Sequence, residues 1–556
     1  MFVLLEYQLM SEQIALRIAL GQINPTIGDV VGNADRIVAW ATRARDALQA
    51  DLIVFPELAL TGYSAEDLLD RPRFMDACER ELNGLRNRLS GIHALIGAPV
   101  RGAGGVLNAA VLLGDGRQRG VAFKGRLPNY GVFDERRHFV SAADPGAVLR
   151  VKGHSLGVVI CEDAWRPEPI GRLARAGAAL IVVINGSPFH QGKHHERRYA
   201  MAARVAEVGR PLVYLNRVGG QDELVFDGDS FVLDARGEPV HAQPMFEASL
   251  SVVPFVRHGQ ALAPLPGDVA PCPDAEAVVY RALVCGVRDY VEKNRFPGVL
   301  IGLSGGIDSA LTLAIAADAL GADRVEAVAM PSRYSAEISA IDAEAQARAL
   351  GVAFRSIAIE RPFQAFCDLL APVFDDAVMG VAQENIQARC RAVILMALSN
   401  QSGRLVLTTG NKSELAVGYA TLYGDMAGGF APLKDCSKTW VYRLARYRNR
   451  IGPVIPERVI TRPPSAELRP DQRDSDTLPD YDRLDGILER FVERQMSVDA
   501  IVADGYEREE VVWVVNKVTA NEYKRRQAPP GVRVTIKAFG RDRRYPISSH
   551  VNLQDW

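Results

Sequence analysis

A stretch near the middle of the chain combines the residue types that bind phosphate. It reads Val299-Leu-Ile-Gly-Leu-Ser-Gly-Gly-Ile-Asp-Ser309 and begins as an apolar run too short for a helix, which predicts a strand. A glycine turn follows, and Ala310–Leu320 predicts a helix ended by Gly321. A strand, a tight turn and a helix N-terminus direct backbone N–H groups and a partial positive charge at one point. The stretch therefore predicts a phosphate site.

This loop differs from the common phosphate loop. No Gly-Lys-Ser/Thr occurs, so no lysine is placed to reach a γ-phosphate. Ser304 and Ser309 supply hydroxyls instead, and Asp308 supplies a carboxylate suited to a phosphate-bound Mg²⁺. The alternative is a glycine turn that binds no ligand, and the polar residues argue against it.

The segment S-G-G-I-D-S (304–309) resembles the pyrophosphatase loop of the ATP-pyrophosphatase enzymes. That resemblance implies that the loop binds the β,γ-pyrophosphate of ATP as a leaving group, and that AMP is transferred to an acceptor. The ATP contacts it implies in this loop are Gly302, Leu303, Ser304, Gly305, Gly306, Ile307, Asp308 and Ser309.

In the first half of the chain, Glu57, Lys124 and Cys161 each stand at the end of a predicted strand. Their surroundings read F-P-E-L-A-L-T-G-Y (55–63), K-G-R-L-P-N-Y-G-V-F-D-E (124–135) and I-C-E-D-A-W (160–165). All three resemble motifs of the nitrilase (carbon–nitrogen hydrolase) family and occur in that family's order. A lone cysteine after a strand is more often buried and inert, but the other two motifs favour a nucleophile.

Amide hydrolysis accounts for these residue types. Cys161 is the expected nucleophile, with its thiolate favoured by a nearby cation. Lys124 supplies that charge and stabilises the tetrahedral intermediate, and Glu57 acts as general base and later as acid. Glu135 is either a second carboxylate that positions Lys124 or a surface charge. No histidine is required, so structural or surface roles are expected for His138, His190, His194 and His195, although a Cys–His arrangement stays open.

Resemblance to the glutaminase version of this fold implies L-glutamine as substrate. The positions that match its glutamine contacts are Tyr130, Ser187 and Lys193. For Ser187, in the segment N-G-S-P-F, an ordinary turn after a strand is the alternative.

The composition indicates a globular protein with two large domains. The chain has 556 residues, of which 48% are apolar and 24% charged. Its net charge of −2 gives no support for nucleic-acid binding, and no apolar run could span a bilayer. Seven scattered cysteines with no C-x-x-C pair predict neither a disulfide framework nor a zinc site and fit a reducing cytoplasm. Residues 1–10 are not expected to be a signal peptide, and Met10 is an equal candidate for the start, which leaves residues 1–9 open.

The elements that position these residues indicate an α/β protein with two domains. Residues 12–256 mix strands, hairpins and helices, which predicts a layered α/β sandwich. The resemblance to the nitrilase family implies that this sandwich is nitrilase-like, with α-β-β-α layers. The proline-rich stretch 254–274 predicts the boundary, with 257–274 as linker. Residues 275–556 begin with an amphipathic helix and then alternate strand and helix, which predicts a doubly wound parallel sheet. The resemblance of the 304–309 loop implies that this sheet is the Rossmann-like sheet of the ATP-pyrophosphatases. Ligands of such sheets gather at the carboxyl ends of strands, where Ser304, Met330 and Thr409 fall.

Further segments resemble the NAD synthetase branch of the ATP-pyrophosphatases. They are E-N-I-Q-A-R (384–389), T-T-G-N-K-S-E (408–414), G-Y (418–419), T-L-Y-G-D-M (421–426), P-P-S-A-E-L-R-P-D-Q (463–472) and Y-K-R-R-Q (523–527). With the nitrilase motifs in front, nearly the whole chain resembles the glutamine-dependent NAD synthetases. The resemblance implies that Thr409 contacts ATP, that Asn385, Glu414 and Lys524 hold deamido-NAD, and that Asp308 and Glu414 hold Mg²⁺. Helix caps or surface ion pairs are the alternatives for each.

The implied reaction has two steps and needs no prosthetic group. The carboxylate of nicotinic acid adenine dinucleotide attacks ATP to give an adenylate and pyrophosphate, and ammonia freed from glutamine then displaces AMP. Free ammonia is protonated in neutral water, so an enclosed passage from Cys161 towards Ser304 is expected. The family implies at least a dimer through the synthetase domain, in the cytoplasm. The run 453–480 is interpreted as a substrate-covering loop that orders on binding, with a plain linker as the alternative.

Three other functions compete with this one. A GMP synthetase-like amidotransferase would adenylate another acceptor, and the 384–389 and 465–472 matches argue against it. An RNA-modifying enzyme should show a basic surface, which the charge balance does not support. A non-enzymatic scaffold would not need polar residues at both sites.

Overall fold

The structure is a computed structural model that describes residues 14–259, 261–373, 380–470 and 472–549. The predictions for residues 1–10, the first two residues of the predicted 12–256 domain and the last seven of the 275–556 domain lie outside the described residues. The chain forms two compact units. One comprises the described residues up to Gly219 together with Phe226–Pro273, and the other comprises Gly220–Val225 and the described residues from Asp274 onward.

The first unit contains fifteen described strands and four described α-helices. The strands are β1 (Ile14–Gln22), β2 (Leu52–Val54), β3 (His93–Gly102), β4 (Gly105–Gly114), β5 (Arg117–Phe123), β6 (Ala147–Val151), β7 (His154–Ile160), β8 (Leu180–Asn185), β9 (Leu212–Asn216), β10 (Val218–Gln221), β11 (Leu224–Asp227), β12 (Phe231–Leu233), β13 (Pro239–Ala242), β14 (Ser249–His258) and β15 (Ala261–Pro264). The helices are α1 (Val30–Leu48), α2 (Pro72–Arg88), α3 (Pro167–Arg175) and α4 (Lys193–Val208). Residues 220–225, at the tip of the hairpin β10–β11, are grouped with the second unit.

Two sheets of mixed direction form the centre of this unit. Their strand orders are β15-β14-β1-β2-β3-β4-β5 and β13-β12-β9-β8-β7-β6. In each sheet the central strands run parallel, β1-β2-β3 in one and β7-β8-β9 in the other, and antiparallel strands flank them. This arrangement combines crossover helices with hairpins, as the mixed sequence pattern predicts.

Both faces of each sheet are buried, so the strands read as continuous apolar runs rather than alternating ones. Side chains such as Val54 and Val158 lie in the core between the sheets. The neighbouring Ile53 points to the other face and packs with α1 and α2. On the second sheet Val159 packs with α3 and α4. The layers are therefore helices, sheet, sheet and helices, and the predicted sandwich is confirmed.

The proline-rich stretch is more ordered than its composition suggests. It holds the end of β14, through His258, and the edge strand β15, which pairs antiparallel with β14. The sequence did not predict this pairing, because both strands contain proline, which is disfavoured in strands, and Gly259 lies between them. The irregular part of the stretch is thus confined to the residues after Pro264.

The second unit contains a four-stranded parallel sheet among twelve described α-helices. The strands are β16 (Val299–Gly302), β17 (Val325–Ala329), β18 (Ala353–Ser356) and β19 (Leu405–Leu407). The helices are α5 (Ala275–Lys293), α6 (Ile307–Leu320), α7 (Glu337–Leu350), α8 (Glu360–Leu370), α9 (Val381–Ser402), α10 (Lys412–Val417), α11 (Lys438–Ile451), α12 (Glu457–Thr461), α13 (Tyr481–Leu488), α14 (Val498–Ala503), α15 (Arg508–Ala520) and α16 (Glu522–Arg525). Short 3₁₀ turns and one π-helical turn, Glu489–Glu493, connect some of them.

The strand order is β18-β17-β16-β19, and all strands run parallel. Strands β17 and β18 are added on one side of β16 and β19 on the other, so the order of strands reverses between β16 and β19. Helices α8 and α9 pack on side chains of β16 and β17 such as Leu300 and Val328. At such a reversal the loops after the two strands diverge and leave a crevice for ligands. The phosphate loop follows β16, and Thr408 and Thr409 follow β19. The predicted doubly wound sheet is confirmed.

Among the described residues, no helix is long and apolar enough to cross a membrane.

Candidate active sites

The backbone of Cys161 is bent sharply where β7 ends. Cys161 begins a 3₁₀ turn, Cys161–Trp165, and has a φ of +46°, in the left-handed region. This conformation costs a non-glycine residue about 1 to 2 kcal/mol, and such costs concentrate at functional sites. Its side chain belongs to the core between the two sheets and is 4% exposed. The turn therefore presents a sheltered thiol.

Lys124 lies between two carboxylates in the same unit. Its ammonium group donates to Glu57 Oε1 and to Glu135 Oε1, each at 2.7 Å, and all three side chains are buried. Glu57 Oε1 also accepts a hydrogen bond from Asn108 Nδ2 at 2.7 Å, and Glu57 Oε2 accepts one from Gly186 N at 2.8 Å. Both glutamates are thus held in place, and the lysine is aimed between them.

Glu135 is part of this network and is not a surface charge. It is 3% exposed, and its Oε1 atom accepts a second hydrogen bond from Tyr63 OH at 2.7 Å. Its Oε2 atom is buried without a hydrogen-bond partner among the residues that the structure describes. The surface-charge alternative was therefore wrong.

Burial sets the protonation of this site. Burial raises the pKa of Glu135 to about 7, against the opposing effect of Lys124. Burial alone would lower the pKa of Lys124, but Glu135 and Glu57 together raise it well above its usual range. Burial and then Glu57 raise the pKa of the Cys161 thiol, and the lowering effect of Lys124 does not compensate. In the free site, burial and Glu57 thus favour the neutral thiol over the expected thiolate.

Two of the three predicted glutamine contacts touch the turn that carries Cys161. Tyr130 OH donates to Glu162 Oε2 at 3.0 Å. Lys193 Nζ lies 4.4 Å above the ring of Trp165 and donates to Glu196 Oε2 at 2.9 Å. An exposed tyrosine and a lysine therefore flank the turn from two sides.

The third contact, Ser187, is buried and firmly held. The guanidinium of Arg197 donates to the hydroxyl and the carbonyl of Ser187, at 3.2 and 2.8 Å. Asn216 Oδ1 accepts from Ser187 N at 3.0 Å. The charge of Arg197 is balanced by Asp227, which accepts two hydrogen bonds of 2.7 Å. The segment after β8 is thereby fixed, which an ordinary turn would not require.

In the second unit the phosphate loop is organised by its own side chains. The hydroxyls of Ser304 and Ser309 lie 3.1 Å apart, and Gly306 N donates to Ser304 Oγ at 3.2 Å. Gly305 has a φ of +81°, and a Cβ there would come within 2.2 Å of Ser339 O. Helix α6 begins at Ile307, three residues earlier than expected, so Asp308 and Ser309 form its first turn.

A buried lysine that sequence reasoning missed joins the two predicted metal ligands. Lys438 Nζ donates to Asp308 Oδ2 at 2.6 Å and to Glu414 Oε1 at 3.1 Å. Asn411 Nδ2 donates to Asp308 Oδ1 at 2.8 Å, and its Oδ1 caps α10 by accepting from Glu414 N. Burial raises the pKa of Glu414 to about 8, with Lys438 opposing and Asp308 adding to the shift. Burial also raises the pKa of the nearby Asp474.

The remaining predicted residues surround a recess beside Glu414. The recess is lined by Thr408, Gly410, Glu414, Leu415, Ala420, Asp425, Met426, Ala431, Ala528 and Pro529. Lys524 Nζ donates to the carbonyls of Gly418 and Ala420 at 2.9 and 3.0 Å, next to this wall. Asn385 Oδ1 accepts from Thr421 Oγ1 at 2.8 Å. Thr409 is half-buried between two residues of the lining.

The run 453–480 lies on the phosphate loop. Arg462 Nη2 donates to Gly305 O at 3.3 Å, and Glu467 accepts from Ala336 N and Ser339 Oγ at 3.1 and 2.6 Å. These contacts anchor the run to the loop and to the start of α7.

Comparison with known proteins places this chain in a family. The carbon–nitrogen hydrolase family matches residues 17–258, and the NAD synthase family matches residues 279–528. A glutamine-dependent NAD(+) synthetase of Xanthomonas campestris pv. campestris is 50% identical over 541 residues, which are 96% of this chain and 97% of that protein. The chain belongs to the glutamine-dependent NAD(+) synthetase family.

Solved structures agree with this membership. The glutamine-dependent NAD(+) synthetase of Acinetobacter baumannii, in complex with ADP, is 43% identical with a TM-score of 0.77, and the match covers 96% of this chain and 98% of that one. The NAD(+) synthetase of Cytophaga hutchinsonii is 22% identical with a TM-score of 0.82 at the same coverage. At that identity the likeness shows the fold alone.

Several residues of the two sites in this chain were not predicted from the sequence. Besides Lys438 they are Tyr63, Asn108, Asp163, Arg197, Asn411 and Asp474. Asp163 accepts from the backbone N–H of Arg126 at 2.8 Å and so holds the segment after Lys124. Asn108 could have been identified from the sequence, because it is the one amide side chain within the apolar run of β4. For Lys438, in a charged and aromatic helix, nothing in the local sequence pointed to burial.

Proposed function

We propose that this chain converts nicotinic acid adenine dinucleotide (deamido-NAD) to NAD⁺, with ATP consumed to AMP and pyrophosphate and glutamine hydrolysed to glutamate as nitrogen donor. This is the final step of NAD biosynthesis. The observation that carries the proposal is that one chain of this family holds two different sites. One is a buried Glu57–Lys124–Glu135 network beside a bent cysteine, and the other is a phosphate loop whose aspartate pairs with Lys438.

We assign the glutaminase chemistry to the first unit. Cys161 Sγ attacks the carboxamide carbon of glutamine while Glu57 takes the thiol proton, and Lys124 meets the charge that forms on the oxygen. The C–N bond then breaks, and Glu57 returns the proton to the leaving ammonia. Water, deprotonated by Glu57, cleaves the thioester and releases glutamate. Lys124 enters the reaction charged, because its two carboxylates together outweigh burial and raise its pKa.

We assign the glutamine-binding role to Tyr130, Ser187 and Lys193. Lys193 and Tyr130 adjoin the turn of Cys161, so a ligand held by them lies beside the thiol. A lysine ammonium suits an α-carboxylate, and hydroxyls suit an α-amino group. Arg197 positions Ser187 without touching the reacting atoms.

We assign the synthetase chemistry to the second unit. The carboxylate of deamido-NAD attacks the α-phosphorus of ATP, the bond to the β,γ-pyrophosphate breaks, and ammonia then displaces AMP from the adenylate. The N–H groups and hydroxyls of residues 302–309 cradle the departing pyrophosphate. Lys438, held by Asp308 and Glu414, places a positive charge beside this cradle. Thr409 is assigned to ATP, and Asn385, Glu414 and Lys524 to deamido-NAD.

The acidic residues of this site fit a divalent cation that accompanies ATP. Asp308, Glu414 and Asp474 are three carboxyl groups around one lysine. Burial, and then repulsion from Asp308, raise the pKa values of Glu414 and Asp474. Mg²⁺ is commonly bound by one or two carboxylates plus phosphate oxygens. Asp308 and Glu414 would hold it, where it would screen the phosphate charge.

We further propose that the chain works as at least a dimer formed through the synthetase unit, in a reducing cytoplasm. Helix α9 exposes Val381, Val393 and Met396, at 72%, 67% and 40%, and Phe366 and Leu369 of α8 are also exposed. Exposed apolar groups of this kind mark contact surfaces. The seven cysteines are all unpaired, which suits that compartment. Light scattering of Val393→Glu at equal concentration should show smaller particles than the parent.

The test supplies purified protein with ATP, Mg²⁺, deamido-NAD and either glutamine or ammonium, and measures AMP and NAD⁺. Cys161→Ala should lose glutamine-driven synthesis and keep ammonia-driven synthesis. Equal loss of both would contradict the division of labour. AMP formation with a purine nucleotide acceptor in place of deamido-NAD would favour the GMP synthetase-like alternative.

A further inference from the structure

A cluster outside both sites has the composition of a metal centre. In the described part of the chain, Asp67, Asp70 and His138 form the one group of three His, Cys, Asp or Glu residues whose ligand atoms all lie within 4.8 Å of one another. The two aspartates lie on a short 3₁₀ turn, Glu66–Asp70, and His138 follows another, Glu135–Arg137. Neither the proposed glutaminase nor the synthetase chemistry uses these side chains.

The imidazole of His138 points into the cluster from a buried position. Its side chain is 2% exposed, and its Nε2 atom has no hydrogen-bond partner among the described residues. A buried ring nitrogen left without a partner is costly, which calls for an explanation such as an ion. The carboxylate oxygens nearest to Nε2 belong to Asp67 at 3.6 Å and Glu66 at 3.9 Å.

These separations are long for hydrogen bonds and suit ligands that share an ion. Two ligands about 2.1 Å from a tetrahedral ion lie about 3.4 Å apart. On the other side of the ring, His138 Nδ1 lies 3.4 Å from Asp70 Oδ1. The Asp70 carboxylate would accept a hydrogen bond from Nδ1–H, so that the Nε2 lone pair faces Asp67. A carboxylate at the second ring nitrogen is the usual support of a metal-binding histidine.

We propose that His138 Nε2 and Asp67 bind a divalent ion of the zinc class, with Asp70 orienting the imidazole. Imidazole with carboxylates suits Zn²⁺ and its neighbours better than Mg²⁺. Arg137 Nη2 donates to Asp67 Oδ1 at 2.8 Å and competes with the ion for that oxygen. The site goes beyond the proposed function and does not depend on it.

The ion would join two segments that support Lys124. His138 N donates to Glu135 O at 3.1 Å, and Tyr63, a few residues before the acidic turn, donates to Glu135 Oε1 at 2.7 Å. Binding should therefore stabilise the first unit against thermal unfolding.

The test uses the full chain with Cys161→Ala, so that zinc cannot bind the nucleophile, and counts bound Zn²⁺ by equilibrium dialysis. We expect one ion fewer in His138→Gln and in Asp67→Asn than in the parent, while His195→Gln, which removes an exposed histidine, keeps the full count. Asp70→Asn should weaken the affinity about 10- to 100-fold. Arg137→Gln should tighten it, because the competing guanidinium is gone. With Co²⁺, the parent should show d–d absorption without a thiolate-to-metal charge-transfer band.

Equal zinc counts in the parent, His138→Gln and Asp67→Asn would overturn the proposal. So would a cobalt spectrum dominated by thiolate charge transfer, which would indicate a cysteine site. Asp67 is 64% exposed, so its variant keeps the test decisive if His138→Gln does not fold. Ammonia-driven synthesis checks that the other unit is intact in every variant.

Discussion

Lys438 Nζ lies 2.6 Å from Asp308 Oδ2, although 130 residues separate them in the chain. This pair ties the first turn of α6 to the start of α11 and places a cation at the phosphate loop, which lacks the lysine of other phosphate loops. Asp308 and Asp474, with Glu414, raise the pKa of Lys438 above its usual range, although burial alone would lower it. The charge is therefore permanent at neutral pH.

Replacing this lysine should disable the synthetase step alone. We expect Lys438→Met to lower both ammonia-driven and glutamine-driven NAD⁺ formation at least about 100-fold, because a preorganised charge is lost where phosphate charge develops. Glutamine hydrolysis measured by glutamate release should persist. Lys517→Met, which removes a lysine from α15 in the same unit, is the control. Normal pyrophosphate release by Lys438→Met would refute this role.

Replacing Glu135 should impair glutamine hydrolysis. Glu135→Gln should lower kcat for glutamine hydrolysis about 100-fold, because Lys124 loses one of the two carboxylates that aim it. In the parent, hydrolysis should rise with pH through about 7 as Glu135 ionises, and the variant should lose that rise. Glu168→Gln, at a side chain 61% exposed, is the control. An unchanged pH profile of Glu135→Gln would show that Glu135 does not govern the site.

Glu414 should make the stability of the ligand-free protein depend on pH. Its pKa is raised from 4.5 to about 8, chiefly by burial. Between these values the unfolded chain has released the proton while the folded chain keeps it, so the stabilisation from this group is present below pH 4.5 and is lost as pH rises towards 8. Calorimetry should show a falling unfolding temperature in that window and a shallower fall in Glu414→Gln. An equally steep fall in the variant would assign the effect elsewhere.

Two glycines with the same φ angle allow the effect of backbone strain to be measured separately from the effect of a steric clash. Gly305 and Gly321 have φ of +81° and +82°, but only at Gly305 would a Cβ meet another atom, Ser339 O, within 4 Å. Both alanine variants suffer the unfavourable angle, at a cost of about 1 kcal/mol. Only Gly305→Ala should also weaken ATP binding in calorimetric titration, because the phosphate loop must move. Equal ATP affinity of the two variants would contradict this.

Arg197 should matter for stability through its buried partner. Arg197→Met leaves Asp227 as an uncompensated buried charge, which typically costs about 3 to 5 kcal/mol. On the same helix, Arg204 pairs with Glu207, which is 39% exposed, and Arg204→Gln should cost about 1 kcal/mol or less. Denaturant unfolding of both variants measures the difference. A small and equal loss would show that the buried pair is not needed for folding.

Much of the architecture was readable from the sequence because it rests on local patterns. The strand before the phosphate loop was predicted where β16 lies, since it is a short apolar run followed by a glycine turn. The order of the motifs around Glu57, Lys124 and Cys161 indicated the family without any coordinates. The helix after the phosphate loop was expected too late, because polar Asp308 and Ser309 are poor helix signals although they suit its first turn.

Other features depended on the tertiary structure because they join distant residues. The burial of Glu135 follows from its hydrogen bonds to Tyr63 and Lys124, and the charged neighbours Arg136 and Arg137 disguised it. Lys438 lies in a helix whose sequence is typical of a helix on the protein surface. Only the folded structure brings Asp308 and Glu414 next to it. The raised pKa of Cys161 is likewise a balance between burial, Glu57 and Lys124. Local sequence can place a residue on a strand end, but distances and desolvation between separate strand ends are properties of the folded chain.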